Sequence, residues 1–180
     1  MFKLPYICKT IAEILRRVRK KAKLGYGTDG KVLMIRPSKD EYYIRIAESV
    51  AKRSTCLRRQ YGAVLVKNDV IISTGYNGSA RGEENCCDKG VCWREAHQIP
   101  HGEQYEKCKA VHAEMNAVIN AKVDTTGTTL YLAGFENGKR LHNVKPCELC
   151  FRVIKNAGIL RIVTQDIFPR GKRNGVALSS

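Results

Sequence analysis

One stretch of the sequence pairs a metal ligand with an acid/base group. His112 and Glu114 stand two positions apart in His-Ala-Glu-Met-Asn-Ala, at the start of a helical run. Pro-Cys-Glu-Leu-Cys follows downstream, and its Cys147 and Cys150 supply two thiolates. Neutral imidazole and thiolate suit Zn²⁺, and three protein ligands leave a fourth position for water, as in catalytic zinc sites. The sequence therefore predicts a catalytic zinc site at His112, Cys147 and Cys150.

The spacing within each motif predicts how the backbone presents these groups. Positions i and i+2 do not face one side of a helix, so we expect His112 and Glu114 at a helix entry rather than in its interior. Pro146 fits the first turn of a second helix, on which Cys147 and Cys150, at i and i+3, share one face. The positive end of that helix favours their thiolates. Both helix N-termini should therefore point at the metal.

The same residues indicate a reaction type. Zinc lowers the pKa of bound water to roughly 7 and so provides hydroxide at neutral pH, for which Glu114 would be the proton shuttle. His-x-Glu followed by Pro-Cys-x-x-Cys is the signature of zinc nucleobase deaminases. The alternative is that His112 caps a helix while the cysteines form a core pair or an unrelated structural zinc site. The joint occurrence of His, Glu, Pro and two Cys makes this alternative the weaker one.

The elements around the motifs predict an α/β domain. In chain order they are a helix from a Ser38 cap, with Glu41 completing a capping box, to about Arg53, strands at 63–66 and 70–74, a helix from 112 to about 122, a strand at 128–132, an insertion at 134–145 with a hairpin tip at 136–139, a helix from 147 to about 156, and a strand at 160–164. The last strand, helix and strand form a right-handed crossover unit. We therefore expect a mixed central sheet between helix layers, a three-layer αβα fold.

A long polar segment, residues 79–111, separates the predicted hairpin from His112. A stretch this long with little periodicity is usually functional or is held by a cross-link such as a bound metal. Four thiolates close a zinc coordination shell, so we predict a second, structural zinc that ties the segment to the domain. Its ligands would be Cys56, Cys86, Cys92 and Cys108, with Cys87 able to replace Cys86. The alternative is four reduced thiols, some of them buried as small apolar groups.

The charge of the chain is concentrated near its start. The net charge is +15, and residues 1–36 contain ten lysines or arginines against Glu13 and Asp29. Residues 10–24 have the pattern of a basic amphipathic helix, and Gly25, Gly27 and Gly30 after it predict a linker. Such a segment suits an anionic partner, but a modest positive charge near the site would equally suit a nucleotide phosphate.

The cysteines and the hydropathy pattern bear on location. No apolar stretch approaches 18 residues, and no signal peptide with a small-residue cleavage site is evident, so we expect no membrane span. Eight cysteines in such a chain indicate a reducing cytoplasm, where thiols bind metal rather than form disulfides.

From about Arg36 to Gln165 the sequence resembles the deoxycytidylate (dCMP) deaminases of the cytidine deaminase superfamily. Besides the two zinc motifs, the matching pieces are Arg53-Ser54-Thr55-Cys56, Tyr61-Gly62-Ala63-Val64-Leu65-Val66 and Gly75-Tyr76-Asn77-Gly78-Ser79. The zinc motifs are shared by the superfamily, whereas Gly-Tyr-Asn-Gly is particular to the deoxycytidylate branch. On this basis we divide the chain into a basic extension (1–35), a deaminase domain (36–168) and a tail (169–180).

The resemblance implies a cytidine-deaminase-like fold and hydrolytic deamination of dCMP to dUMP and ammonia. Glu114 would take a proton from the zinc-bound water, pass one to N3 and protonate the departing amine. Asn77 is similar to the family residue that meets the nucleotide, and Arg53 is a candidate for its phosphate. Family members are often homo-hexamers, activated by dCTP and inhibited by dTTP with Mg²⁺.

Three other functions fit parts of the sequence. A deaminase of bases in nucleic acid would use the basic extension as its electrostatic footprint, although aromatic residues for stacking bases are sparse there. A non-catalytic, zinc-stabilised accessory protein of the same fold would have no use for Glu114. The free-nucleoside cytidine deaminases commonly have Cys where His112 stands.

Within the dCMP deaminase pattern, this sequence departs in having Ala80 in place of Pro and the insertion before Pro146.

Overall fold

The computed structural model describes residues 24–26, 32–34, 36–100 and 102–167 of the chain. The chain divides into two compact units, residues 1–38 and 39–180. In the first unit β1 (Leu24–Tyr26) pairs antiparallel with β2 (Val32–Met34). Gly25 therefore lies in a strand, which corrects the linker prediction at that residue. The predicted basic helix, apart from Leu24, and the tail at 169–180 lie outside the described residues.

The second unit contains a mixed sheet with helices on both faces. Its helices and strands in chain order are α1 (Lys39–Ala51), β3 (Gln60–Lys67), β4 (Val70–Tyr76), β5 (Gly78–Ser79), α2 (Cys86–Lys89), α3 (Trp93–Ala96), β6 (Ala110–Val111), α4 (Ala113–Asn120), β7 (Thr129–Glu136), β8 (Lys139–Arg140), α5 (Glu148–Asn156) and β9 (Arg161–Thr164). β3 pairs antiparallel with β4 and β7, and β7 pairs parallel with β9 and antiparallel with β8. The mixed sheet of the prediction is confirmed.

Alternation along β3 assigns the two layers of helices. Val64 and Val66 pack into the apolar cluster that contains Ile44 of α1, because successive strand residues point to opposite faces. Ala63 and Leu65 pack on the other side, in the cluster that contains residues of α4 and α5. The predicted three-layer αβα architecture is confirmed, and α4 and α5 share one face of the sheet.

Two glycines of the sheet let helix backbones come close. A Cβ atom on Gly75 of β4 would lie 2.3 Å from the carbonyl oxygen of Ala113 at the start of α4. A Cβ atom on Gly62 of β3 would lie 2.2 Å from the carbonyl oxygen of Ala47 in α1, on the opposite face. Real Cβ atoms do not approach so closely, so glycine is required at both positions. Gly75 thereby sets the depth at which the first turn of α4 sits on the sheet.

Helix α1 is tied to strands β7 and β9 by a carboxylate. Asp40 accepts hydrogen bonds from both terminal nitrogens of Arg161, at 3.0 and 2.6 Å, and from the Tyr131 hydroxyl at 2.8 Å. Burial acts to raise the pKa of Asp40, but the bonds from Arg161 and Tyr131 outweigh it and leave the pKa lowered. α1 ends at Ala51, two residues before the predicted Arg53.

The predicted insertion before Pro146 is a hairpin followed by a short segment that is held by side-chain hydrogen bonds. Its tip, Asn137-Gly138, has φ of 51° and 70°, the left-handed values that a tight hairpin turn needs. β7 extends to Glu136, so Gly134 belongs to the strand rather than to the insertion. The Gln165 amide donates to the carbonyls of Gly134 and Leu141, at 2.9 and 2.7 Å. These hydrogen bonds therefore fix the backbone that leads from β7 towards Pro146.

Residues 79–111 have more structure than their sequence pattern predicts. β5 and β6 pair antiparallel, so the two ends of the segment meet beside the start of α4. Between them lie α2, α3 and a 3₁₀ turn at Tyr105–Lys107. Within the described part of the chain, no helix is long and apolar enough to cross a membrane.

Candidate active site

The predicted zinc ligands stand at the starts of two helices. His112 is the N-cap of α4, with φ −71° and ψ 153°, and Cys147 is the N-cap of α5, with φ −73° and ψ 165°. Cys147 thus precedes its helix instead of opening the first turn, and Cys150 lies within it. The Cys150 amide donates to Sγ of Cys147 at 3.5 Å. Both helix N-termini face the cluster, and their partial positive charge favours thiolate.

The three ligand atoms are spaced as a zinc site requires. Nδ1 of His112 lies 3.4 Å from Sγ of Cys147 and 3.3 Å from Sγ of Cys150. Tetrahedral zinc with ordinary Zn–N and Zn–S bonds would separate such atoms by roughly 3.5 Å. Among the described residues this is the one group of three or more His, Cys, Asp or Glu ligand atoms that all lie within 4.8 Å of each other. The donor set therefore fits Zn²⁺.

Glu114 is the buried carboxyl of the site. It lies in the first turn of α4, is 6% exposed, and contacts the Cys150 thiol. Burial raises the pKa of Glu114. Burial and the nearby Glu114 charge also raise the pKa of the Cys150 thiol. A divalent cation would reverse that effect on the thiol, because it stabilises the coordinated thiolate.

The surroundings of His112 favour its neutral form. Burial lowers the pKa of its imidazole, and the positive charge of Arg94 adds to the effect. A neutral imidazole is the form that coordinates zinc.

A cavity of about 450 Å³ opens onto these groups. Tyr61, Trp93 and Tyr105 contribute aromatic walls. Its lining includes seven lysine and arginine side chains, of which Arg59, Lys89 and Lys109 form ion pairs with glutamates. The other four have no carboxylate partner among the described residues; they are Arg58, Arg94, Lys107 and Lys145. The cavity therefore carries excess positive charge and suits an anionic ligand.

The two predicted substrate contacts lie in different surroundings. Asn77 lines the cavity and is 8% exposed, and its amide links two backbone groups of the β3 end. Its Oδ1 accepts from the Tyr61 amide at 2.6 Å, and its Nδ2 donates to the Arg59 carbonyl at 2.8 Å. One N–H of Nδ2 remains for a ligand. Arg53 is exposed and is not among the cavity-lining residues.

The four cysteines of the predicted second zinc site share one region. Cys56, Cys86, Cys92 and Cys108 all line the cavity. The Cys87 amide donates to the Thr55 carbonyl at 3.1 Å, which brings the start of α2 beside Cys56. Burial and then the neighbouring Cys86 and Cys108 raise the pKa of Cys56 to about 12. In the described structure their sulfurs do not converge as tightly as the His112 cluster.

Two residues of the site were not predicted from the sequence. The Tyr105 ring lies perpendicular to the His112 ring, with centroids 5.0 Å apart. The Arg94 guanidinium covers the Tyr105 ring, with Cζ 4.7 Å from its centroid. Both come from the segment without periodicity, where an aromatic residue shortly before His112 was the one available signal.

Comparison with known proteins identifies the domain. A family model described as the cytidine and deoxycytidylate deaminase zinc-binding region matches residues 37–165. The deoxycytidylate deaminase of Schizosaccharomyces pombe is 36% identical over 128 residues, which is 71% of this chain and 37% of that protein. The deoxycytidylate deaminase of Mycobacterium phage D29 is 37% identical over 136 residues, which is 72% of this chain and 96% of that protein.

A solved structure agrees with these matches. The crystal structure of the dCMP deaminase from cyanophage S-TIM5, in complex with dCMP and dUMP, has a TM-score of 0.52 and 26% sequence identity. The match covers 72% of this chain and 82% of the cyanophage chain. The chain thus spans less than two fifths of the fission-yeast protein but nearly all of the mycobacteriophage one.

Proposed function

The chain belongs to the cytidine and deoxycytidylate deaminase family, and we propose that it hydrolyses dCMP to dUMP and ammonia. The observation that carries this proposal is the convergence of His112, Cys147 and Cys150 beside the buried carboxyl of Glu114. A hydrolytic zinc site needs three protein ligands and an adjacent acid/base group. A structural zinc site instead has four protein ligands and no open coordination position.

Each residue has a distinct task in the proposed reaction. Zinc held by His112, Cys147 and Cys150 would supply a Lewis acid that makes water nucleophilic at neutral pH. Glu114 accepts a first proton from the attacking water and delivers it to N3 of cytosine as C4 is attacked. It then accepts the second proton, from the hydroxyl now on C4, and passes it to the departing amine, which leaves as ammonia. Its burial supports this double role, because burial raises the pKa of the carboxyl and so favours its holding a proton between the two transfers.

The cavity supports a nucleotide as the substrate. Tyr61 and Tyr105 can flank a pyrimidine ring. Lys145, next to the Pro146 motif, has no carboxylate partner in the part of the chain that the structure describes and offers its ammonium for phosphate. Asn77 would meet the nucleotide through the N–H that the backbone leaves free. Arg53 remains a candidate for the phosphate, although its exposure outside the cavity lining gives Lys145 the better position.

A second, structural zinc at Cys56, Cys86, Cys92 and Cys108 belongs to the same proposal. All four residues line the cavity, and their thiols contribute to each other's electrostatic environment. Cys87 is the poorer ligand, because its side chain is exposed, is not part of that lining, and contacts the Asp88 carboxylate at 3.4 Å. Binding would draw the sulfurs together and fix the segment at 79–111 beside the active site.

The family resemblance extends the proposal to regulation and assembly. We expect a homo-oligomer, with a hexamer as the first candidate, activation by dCTP, and inhibition by dTTP with Mg²⁺. Ala80 in place of the usual proline loosens the loop after Gly78, and this is the departure that bears on the response to effectors. Free thiols at all seven described cysteines support a reducing, cytoplasmic setting.

One assay tests the proposed function against its rivals. Purified protein is given dCMP, CMP, deoxycytidine and a cytosine-containing single-stranded oligonucleotide, with and without dCTP, and ammonia release is measured. The proposal expects dCMP to have the highest kcat/KM. Turnover of the oligonucleotide above dCMP would favour the nucleic-acid deaminase, and a zinc-loaded protein inactive on all four would favour the accessory protein.

A further inference from the structure

Arg94 is a buried arginine that has no acidic partner among the described residues. It is 4% exposed, and no carboxylate of the described residues forms an ion pair with it. Nη1 donates to the Gln104 carbonyl at 3.2 Å and Nη2 to the Pro100 carbonyl at 2.6 Å, while Nε has no hydrogen bond. Burying a guanidinium is costly, so such a group is expected to have a specific role.

One of these two carbonyls links Arg94 to the backbone next to Tyr105. Gln104 precedes Tyr105 and has a left-handed φ of 48°, so the Arg94 bond to its carbonyl fixes the backbone where the aromatic side chain departs. The guanidinium also lies over the ring, with Cζ 4.7 Å from the centroid. Arg94 therefore restrains Tyr105 through both its backbone and its ring.

Tyr105 in turn meets the metal ligand. Its ring stands at 89° to the His112 ring, with a centroid distance of 5.0 Å, which is a favoured aromatic geometry. The Nδ1 atom of His112 faces the two sulfurs, whereas its Nε2 has no hydrogen bond to any described residue. Metal-binding histidines are usually oriented by a hydrogen bond from the second nitrogen. Among the described residues, the ring contact that can orient this imidazole is the one with Tyr105.

We propose that Arg94 and Tyr105 act as a positioning pair for the zinc ligand His112. Tyr105 fixes the plane of the imidazole, and Arg94 fixes Tyr105. This role does not depend on the contact that Tyr105 can make with the pyrimidine. The inference rests on the proposed zinc site, and it adds the statement that two residues outside both zinc motifs, in the segment that leads into His112, determine how firmly the metal is held.

The test measures how fast zinc leaves the protein. Zinc-loaded parent and variant proteins are mixed with excess of a chromogenic chelator, and the release from the His112 site is followed in time. Tyr105→Leu removes the ring and is expected to release this zinc about 10- to 100-fold faster, the range for lost support of a metal ligand. Tyr105→Phe keeps the ring and should release it at the parent rate.

Arginine variants separate the pair from general loosening of the segment. Arg94→Met should accelerate release like Tyr105→Leu, and Arg94→Lys should lie between Arg94→Met and the parent, because it keeps a cation but loses the forked donors. Arg58→Met is the matched control. Arg58 donates to the Ile99 carbonyl at 3.3 Å in the same segment without contacting Tyr105, so its loss should leave zinc release unchanged.

A double variant gives the decisive comparison. If the two residues act in one chain of contacts, Arg94→Met with Tyr105→Leu will release zinc no faster than Tyr105→Leu alone. Parent-like release from Tyr105→Leu, or equal acceleration by Arg58→Met and Arg94→Met, would overturn the inference. If Arg94→Met fails to fold, the contrast between Tyr105→Leu and Tyr105→Phe decides. A parent protein that binds no zinc at His112 would instead contradict the proposed function.

Discussion

Nδ1 of His112 and Sγ of Cys150 lie 3.3 Å apart, although 38 residues separate them in the chain. The two meet because α4 and α5 pack on the same face of the sheet and both begin at the same place. A parallel pair, β7 and β9, flanks α5 in sequence and holds its direction. The ligand geometry is thus a property of the sheet topology and not of either motif alone.

The first prediction concerns the carboxyl beside these ligands. Glu114→Gln should lower dCMP turnover by about 100- to 10,000-fold, because the amide cannot carry protons between the nucleophile, N3 and the amine. Zinc content and melting temperature should stay near those of the parent, since the ligands are untouched. Ammonia release and metal analysis measure both. Glu148→Gln, at an exposed carboxylate in the first turn of α5, is the matched control and should keep full activity.

The ligands could be predicted from sequence because local rules determine their presentation. Helix entry brings His112 and Glu114 together, and i, i+3 spacing brings Cys147 and Cys150 together. The support from Tyr105 could not be predicted, because it depends on the backbone path of residues 79–111, which has no periodic pattern. The phosphate candidate Arg53 shows a related limit. α1 ends at Ala51 and the chain turns there, which leaves Arg53 exposed outside the cavity lining.

The second prediction concerns the packing of α4. Gly75→Ala should reduce both stability and dCMP turnover, because the added methyl would overlap the Ala113 carbonyl and push the first turn of α4 from the sheet. Gly62→Ala is the matched control. It introduces the same methyl against α1 on the opposite face, so it should cost stability while the surviving folded protein keeps its specific activity. Equal loss of specific activity in both variants would show that the effect is global.

The third prediction is a pH dependence of stability. The pKa of Asp40 is lowered in the folded state, so its ionised bonds stabilise the fold above the unfolded pKa of roughly 3.9 and are lost as the pH falls through the folded pKa. Asp40→Asn should therefore lower the free energy of unfolding by about 1–2 kcal/mol at pH 7. The difference from the parent should shrink below about pH 4, as measured by urea unfolding across pH.

A double variant checks the assigned partner. Arg161 makes the bidentate contact to Asp40, so Asp40→Asn combined with Arg161→Met should destabilise less than the two single losses added together. Strict additivity at pH 7 would mean that the bond contributes nothing, as happens for many surface pairs.

The last prediction concerns the second zinc. Carefully purified parent protein should contain two zinc ions per chain, and the variant with Cys92→Ser and Cys108→Ser should contain one, because two of four thiolates are gone while His112, Cys147 and Cys150 remain. Cys87→Ser should keep both ions, since Cys87 is exposed and faces Asp88. The raised pKa of Cys56 sharpens the test: without a metal its thiol stays protonated at neutral pH, so a slow thiol reagent should label it in apo protein only sparingly. One zinc per chain in the parent would mean that residues 79–111 are held by hydrogen bonds such as those of Arg94 and Arg58, and not by a metal.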